Sequence, residues 1–200
     1  MKVYGDLISG NCYKIKLLCS LLDLAHEWVA MDIMAGDTRT ADFLDKNPNG
    51  KIPLLELEDG RFLAESNAIL FYLAYGSDLL PIDRYLKSKV LEWLFFEQYS
   101  HEPYIAVRRF IQKYQGMPAQ RQAEYAAREA GGIKALTIMN DHLAKNEYFV
   151  GEQLSIADIS LFAYTHVADE GGFDLSAYSA IGAWLERIRN TRGFLPMPAS

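Results

Sequence analysis

The proline in Gly50-Lys51-Ile52-Pro53-Leu54-Leu55 constrains this chain more than any other residue. Lacking an N–H for the ladder, it either begins a strand or sits on a sheet edge, so residues 54–57 read as a short strand that starts there. Its tertiary amide brings a cis bond after Ile52 within about 0.5–1 kcal/mol of trans. A cis turn would leave the Ile52 N–H and C=O facing outward, available to an extended peptide. Asp59-Gly60 then returns the chain through Arg61-Phe62-Leu63-Ala64, a hairpin signal. Twelve residues beyond the proline comes Glu65-Ser66-Asn67-Ala68-Ile69, where Ser66 is placed to N-cap a helix over 66–74. A helix N-terminus attracts anions, and a carboxylate beside it turns the position into a site for an α-amino acid.

The first seventy-six residues alternate between element types. Lys2-Val3-Tyr4 reads as a strand and residues 12–24 as a helix, with Ile15, Leu18 and Leu22 on one face. Trp28-Val29-Ala30-Met31 is a second strand, so the β-α-β order predicts a parallel pair. A short helix over 38–45, the hairpin and the 66–74 helix complete β-α-β-α-β-β-α. Residues 77–82 form a linker, because Gly76 ends one helix and Pro81 precedes the next.

Residues 83–200 show no strand pattern. Residues 83–113 form a long aromatic-rich helical stretch interrupted near Pro103, and 118–145 a second helix. In 180–190, Ile181, Trp184, Leu185 and Ile188 make an amphipathic face. Ser155-Ile156-Ala157-Asp158 has the form of a capping box, with Leu154 and Ile159 spaced as a hydrophobic staple. On capping magnitudes, losing either polar member costs about 1 kcal/mol.

Composition narrows the function. A formal net charge of −6 disfavours nonspecific binding to nucleic acid or anionic membranes. No apolar run reaches the roughly 18–20 residues of a membrane span, and the N-terminal stretch lacks a signal-peptide core, so a cytoplasmic location is expected. Cys12 and Cys19 lie on one helix at about 10 Å, too far for a disulfide. His26, His101, His142 and His166 are scattered without Cys or His partners at ligand spacing, so no metal site is expected.

Ile52-Pro53, Glu65-Ser66 and Ser155-x-x-Asp158, in this order, resemble the glutathione S-transferase superfamily in both halves of the chain. The resemblance implies an N-terminal thioredoxin-like domain over 1–76 and an all-helical bundle domain over 83–200. It implies glutathione as co-substrate, a cytoplasmic homodimer acting in detoxification, and a small electrophile as second substrate. Ile52, before Pro53, would pair with the cysteinyl backbone, while Glu65 and Ser66 would hold the γ-glutamyl group. Lys51 is placed to meet the glycyl carboxylate, with Arg39 a poorer alternative.

Transfer from glutathione requires a thiolate near neutrality. Lowering an ordinary thiol pKa of about 8.5 by two units takes about 2.7 kcal/mol. A donor aimed at the sulfur beside a helix N-terminus supplies an effect of that size. Leu7-Ile8-Ser9-Gly10-Asn11-Cys12 follows the first strand and opens the first helix. Ser9 falls where serine-type members carry their catalytic hydroxyl. Asn11 matches an asparagine found in some disulfide-reducing bacterial members, and Cys12 is a thiol at a helix start, open to activation or a mixed disulfide. Tyr4 lies within the strand and reads as a packing residue. On the long helix of the second domain, His101, Tyr104 and Arg108 are candidates for the second-substrate site, Arg108 for an anionic group. The expected activity is transfer of glutathione to an electrophilic carbon. Disulfide reduction or peroxide reduction on the same fold, and a non-catalytic binding module, are the alternatives.

Overall fold

The computed structural model describes residues 1–198 of the 200-residue chain and divides it into two compact units. The first comprises residues 1–77 together with the tail from Arg192, and the second residues 78–191.

In the first unit β1 (Lys2–Gly5), α1 (Gly10–Leu21) and β2 (Glu27–Ala30) form the parallel crossover, with Val3 opposite Trp28. A single 3₁₀ turn (Asp37–Arg39) and α2 (Ala41–Lys46) follow. The helix expected over 38–45 is split because Thr40 leaves the helical conformation and its hydroxyl accepts the Phe43 N–H at 3.3 Å, capping α2. β3 (Leu54–Glu56) and β4 (Phe62–Ala64) form the hairpin, and α3 (Ser66–Leu73) closes the unit. The sheet order is β2-β1-β3-β4, with β3 antiparallel to both its neighbours. The Ile52–Pro53 peptide bond is cis.

The core of this unit is α1 packed with sheet and α3: Ile15, Leu17, Leu18, Leu54, Leu55, Ile69 and Leu70 are all solvent-inaccessible. Gly5 is required at the end of β1. A Cβ there would stand 2.9 Å from the Trp28 ring and 3.0 Å from the Cys12 sulfur.

In the second unit Asp83 caps α4 (Arg84–Phe96), its carboxylate accepting the Leu86 N–H at 2.8 Å. A π-type segment (Glu97–His101) joins α4 to α5 (Glu102–Arg109), and a second one (Phe110–Tyr114) ends the stretch. The expected interruption at Pro103 takes this form. Proline donates nothing to the preceding turn, and the widened π geometry lies just before it. The helix expected over 118–145 is three pieces: a 3₁₀ turn (Ala119–Arg121), α6 (Gln122–Ala127) and α7 (Glu129–Leu143). α6 and α7 part at Arg128, whose guanidinium donates to the Pro103 carbonyl at 2.8 Å and to Glu124 at 3.3 Å. Gly131 and Gly132 are close-contact positions in α7. A Cβ on Gly131 would lie 2.1 Å from the Tyr104 ring, and one on Gly132 2.2 Å from Phe173.

α8 (Ile156–Thr165) is buried along its whole length, and α9 (Ser179–Arg189) buries the four residues of its expected apolar face. The Ser155–Asp158 capping box is present. No strand occurs after Ala64 among the described residues.

The expected domain over 83–200 needs correction at its end. The tail turns to the first unit because two α1 hydroxyls capture its carbonyls: Ser20 donates to Gly193 and Tyr13 to Leu195, each at 2.7 Å. Residues 199–200 lie outside the described residues.

Candidate active site

The loop between β1 and α1 is organised by Asp6, which accepts the Ile8 N–H on its carboxylate at 3.0 Å and the Ser9 N–H on its carbonyl at 3.2 Å. Ser9 occupies the N-cap of α1 in extended conformation, yet its hydroxyl does not cap. It hydrogen-bonds the Cys12 sulfur, which also accepts the Asp6 N–H. These donors favour a thiolate, but desolvation outweighs them. Cys12 is fully buried and its thiol is pushed up to about 12. The expectation of Cys12 as an activated nucleophile or mixed-disulfide partner is therefore corrected: the helix start is there, the access and the thiolate are not. Tyr4 is also no thiolate donor. Its hydroxyl donates to Glu56 at 2.5 Å, and chiefly through that bond its pKa rises to about 12.

Fifty-five residues after Asn11, the start of α3 meets the start of α1. The Ser66 hydroxyl donates to Asn11 Oδ1 at 3.1 Å. It also accepts from Lys14 Nζ at 3.2 Å, and the same ammonium donates to Asn67 Oδ1 at 3.3 Å. Ser66 is buried while Glu65 is exposed. The expectation of Ser66 as N-cap is corrected. Ser66 is the first helical residue, and Glu65 stands at the cap with φ 68° and ψ 114°, a left-handed φ uncommon for a residue with a Cβ. At that point the chain turns from β4 into α3, which puts Glu65 immediately ahead of the first helical turn.

The loop before Pro53 is held by Asn47, a buried side chain whose Nδ2 donates to the Lys51 carbonyl at 2.7 Å and whose Oδ1 accepts the Asn49 N–H at 3.2 Å. It presents the Lys51 side chain to solvent and leaves Ile52 half-buried. Arg39 approaches the same loop, its Nη1 lying 2.7 Å from where a Cβ on Gly50 would sit.

In the second unit, Phe96, Ser100 and Tyr104 face Gly131, Lys134, Ala135 and Ile138 of α7 across a cleft of about 230 Å³. Tyr104 thus borders open space. His101 and Arg108 do not, and both expectations for them are corrected. His101 is fully buried, with Nε2 2.9 Å from Thr165 Oγ1. Because that hydroxyl donates to the Leu161 carbonyl at 2.7 Å, His101 Nε2 must be the donor, which fixes its tautomer in a closed interface. Arg108 donates to the carbonyls of Gly171 at 2.9 Å and Tyr125 at 3.3 Å. Its guanidinium carbon lies 3.8 Å from the Tyr125 ring centroid. These contacts bury it as an internal clamp.

Lys14 is not among the residues expected from the sequence. The available signal was spacing: Lys14 follows Asn11 by three residues on a helix whose next residue, Ile15, is core. Among the described residues no group of three or more His, Cys, Asp or Glu side chains is gathered as a metal site would require. No helix among them is long and apolar enough to cross a membrane.

Residues 8–75 match the family model of the glutathione S-transferase N-terminal domain, and residues 92–191 that of the C-terminal domain. A glutathione S-transferase from Pseudomonas fluorescens Pf-5 is 60% identical, with a TM-score of 0.97 over 99% of this chain and 98% of that one. Glutathione S-transferase 2 of Anopheles gambiae is 30% identical over 88% of this chain and 84% of its own length. A maleylacetoacetate isomerase from Methylobacterium extorquens AM1, solved with bound malonate and glutathione, is 26% identical, with a TM-score of 0.81 over 96% of this chain and 94% of that one. The chain belongs to the glutathione S-transferase family.

Proposed function

We propose that this glutathione transferase binds the tripeptide across the starts of α1 and α3, with Ser9 activating its thiol. The observation that carries the reading is the hydrogen bond between Ser66 and Asn11, which joins the loop bearing the thiol-activating candidates to the amino-acid site at Glu65-Ser66. In this assignment the Glu65 carboxylate takes the α-ammonium of the γ-glutamyl residue. The Ser66 region and the α3 N-terminus take its α-carboxylate. The backbone of Ile52, ahead of Pro53, pairs with the cysteinyl unit, and Lys51 meets the glycyl carboxylate.

The Ser9 hydroxyl turns from Cys12 to donate to the glutathione sulfur, with the Asn11 amide as second donor. Neither residue loses a proton. The thiol proton goes to solvent, the thiolate forms the C–S bond, and the leaving group departs with its bonding pair. Tyr104, bordering the cleft, is the remaining candidate for contact with a small, apolar electrophile. Exposed Phe62, Tyr72 and Tyr75 of the first unit and Tyr85, Phe95 and Tyr99 of the second support a homodimer. A cytoplasmic, detoxifying role accords with this reading.

Calorimetric titration with glutathione tests it. The wild-type protein is expected to bind, and Glu65→Ala to bind at least tenfold more weakly, a loss of about 1.4 kcal/mol or more. No isotherm for the wild type at millimolar glutathione, or an affinity indifferent to Glu65→Ala, overturns it and returns the chain to a non-catalytic role.

A further inference from the structure

We propose that Lys14 is a positioning residue for glutathione: its buried ammonium sets the Ser66 hydroxyl and clamps the start of α3 to the start of α1. The inference rests on the glutathione site proposed above and assigns a function to a side chain that such a site does not itself require.

Lysine is among the residues least often fully buried, because withdrawing an ammonium from water is costly unless hydrogen bonds replace the solvent. Lys14 has no solvent-accessible surface. Its Nζ reaches two oxygens on consecutive residues of α3, Ser66 Oγ and Asn67 Oδ1. One contact alone would leave Ser66 free to rotate. Here the ammonium occupies a lone pair of the hydroxyl oxygen, and the hydroxyl proton is committed to Asn11 Oδ1. Both ends of the Ser66 side chain are thereby assigned by residues of α1.

Two consequences follow for the ligand. First, the Asn11 carbonyl oxygen is engaged by Ser66, so its side-chain orientation is coupled to that of the amino-acid site through one shared network. Second, a fixed positive charge lies beneath the first turn of α3, where it adds to the helix dipole in favouring a carboxylate. Hydrogen bonds from a charged donor are about twice as strong as neutral ones, which suits the ammonium to hold a geometry that a neutral side chain would let drift. A glutathione molecule held at its γ-glutamyl end by the backbone N–H of Ser66 and at its sulfur from the α1 loop needs those two points kept at a constant separation. Lys14 and Asn11, one turn apart on α1, supply that constraint.

The test is equilibrium binding of glutathione to Lys14→Met and Lys14→Arg, with thermal unfolding of each variant followed in parallel. Methionine fills the same volume without donors or charge, whereas arginine retains both. Lys14→Met is expected to raise the glutathione Kd at least tenfold while remaining folded at the assay temperature, and Lys14→Arg to return it to within about threefold of wild type. A purely structural lysine would shift unfolding without this pattern of affinity. Should Lys14→Met fail to fold, Lys14→Gln takes its place with the same expectation. A Kd for Lys14→Met or Lys14→Gln within twofold of wild type overturns the inference, as does a Lys14→Arg protein no better than the neutral variant. If the wild type binds glutathione and Ser66→Ala weakens it, such a result removes Lys14 alone. If the wild type does not bind, the site assignment itself falls.

Discussion

Removing the Asp158 carboxylate should destabilise the protein by about 4 kcal/mol, several times the cost of an ordinary helix cap. The carboxylate is fully buried and accepts four hydrogen bonds. Two come from Ser155, through its N–H and its hydroxyl, both at 2.9 Å. The others come from the Phe149 N–H and the Trp184 indole N–H, both at 3.0 Å. Substituting alanine strands the last two donors among side chains with essentially no solvent access. Each unsatisfied buried donor costs about 1–3 kcal/mol, and the lost cap adds about 1 kcal/mol. The Ser155 hydroxyl can rotate to another acceptor and contributes less. At about 2–4 °C per kcal/mol for a chain of this size, Asp158→Ala should unfold roughly 8–16 °C below wild type. Asp158→Asn keeps the volume and one acceptor oxygen but opposes its amide to the Ser155 N–H, so about 2 kcal/mol is expected. The assay is equilibrium unfolding in urea at pH 8. There the carboxyl is ionised even though burial pushes its pKa up to about 6. An alanine variant within 1 kcal/mol of wild type would refute the orphaned-donor argument, and so would an asparagine variant less stable than the alanine one.

Two further outcomes follow from buried groups. Burial pushes the thiols of Cys12 and Cys19 up to about 12 and 11, so a disulfide reagent at pH 8 should titrate neither in the native protein and both after denaturation; rapid native labelling of Cys12 would contradict its placement. His166 stacks on Phe162 at 4.6 Å, and desolvation lowers its pKa to about 4. The unfolded chain therefore binds more protons between pH 6.5 and 4, so up to about 3 kcal/mol of stability, present above pH 6.5, is lost as pH falls through that window. Asp158 acts in the opposite sense, its stabilising contribution falling as pH rises from about 4 to 6, so the informative measurement is a comparison. His166→Gln should lose less stability than wild type between pH 7 and pH 4.5, and equal losses would refute the assignment.

Local chemistry made much of the architecture legible. Pro53, Asp59-Gly60 and the β-α-β order act through neighbours in the chain, and they predicted the strands, the hairpin and the parallel pairing. The capping box was legible for the same reason, since Ser155 and Asp158 lie within one turn. Its energetic weight was not, because Phe149 and Trp184 reach Asp158 from nine and twenty-six residues away. The breaks at Thr40 and Arg128 were missed because each depends on where one side chain bonds, which helical periodicity does not encode.

The candidate site residues divide along the same physical line. Ser9, Asn11, Ile52, Glu65 and Ser66 stand where backbone geometry puts them: at the first turn of a helix, before a proline, at a strand-to-helix turn. Cys12, His101 and Arg108 carry functional groups whose chemistry depends on contact with water, and the fold withdraws all three from it. A thiol at a helix start is activated only if solvent or a cation compensates for burial, and a cationic side chain recognises an anion only if its donors are not already spent on carbonyls. Lys14 shows the converse. Its residue type predicts exposure, and only the meeting of α1 with α3 reveals an ammonium enclosed between Ser66 and Asn67. The access of a functional group is therefore legible in the sequence where the local backbone dictates it, and hidden where tertiary packing decides it.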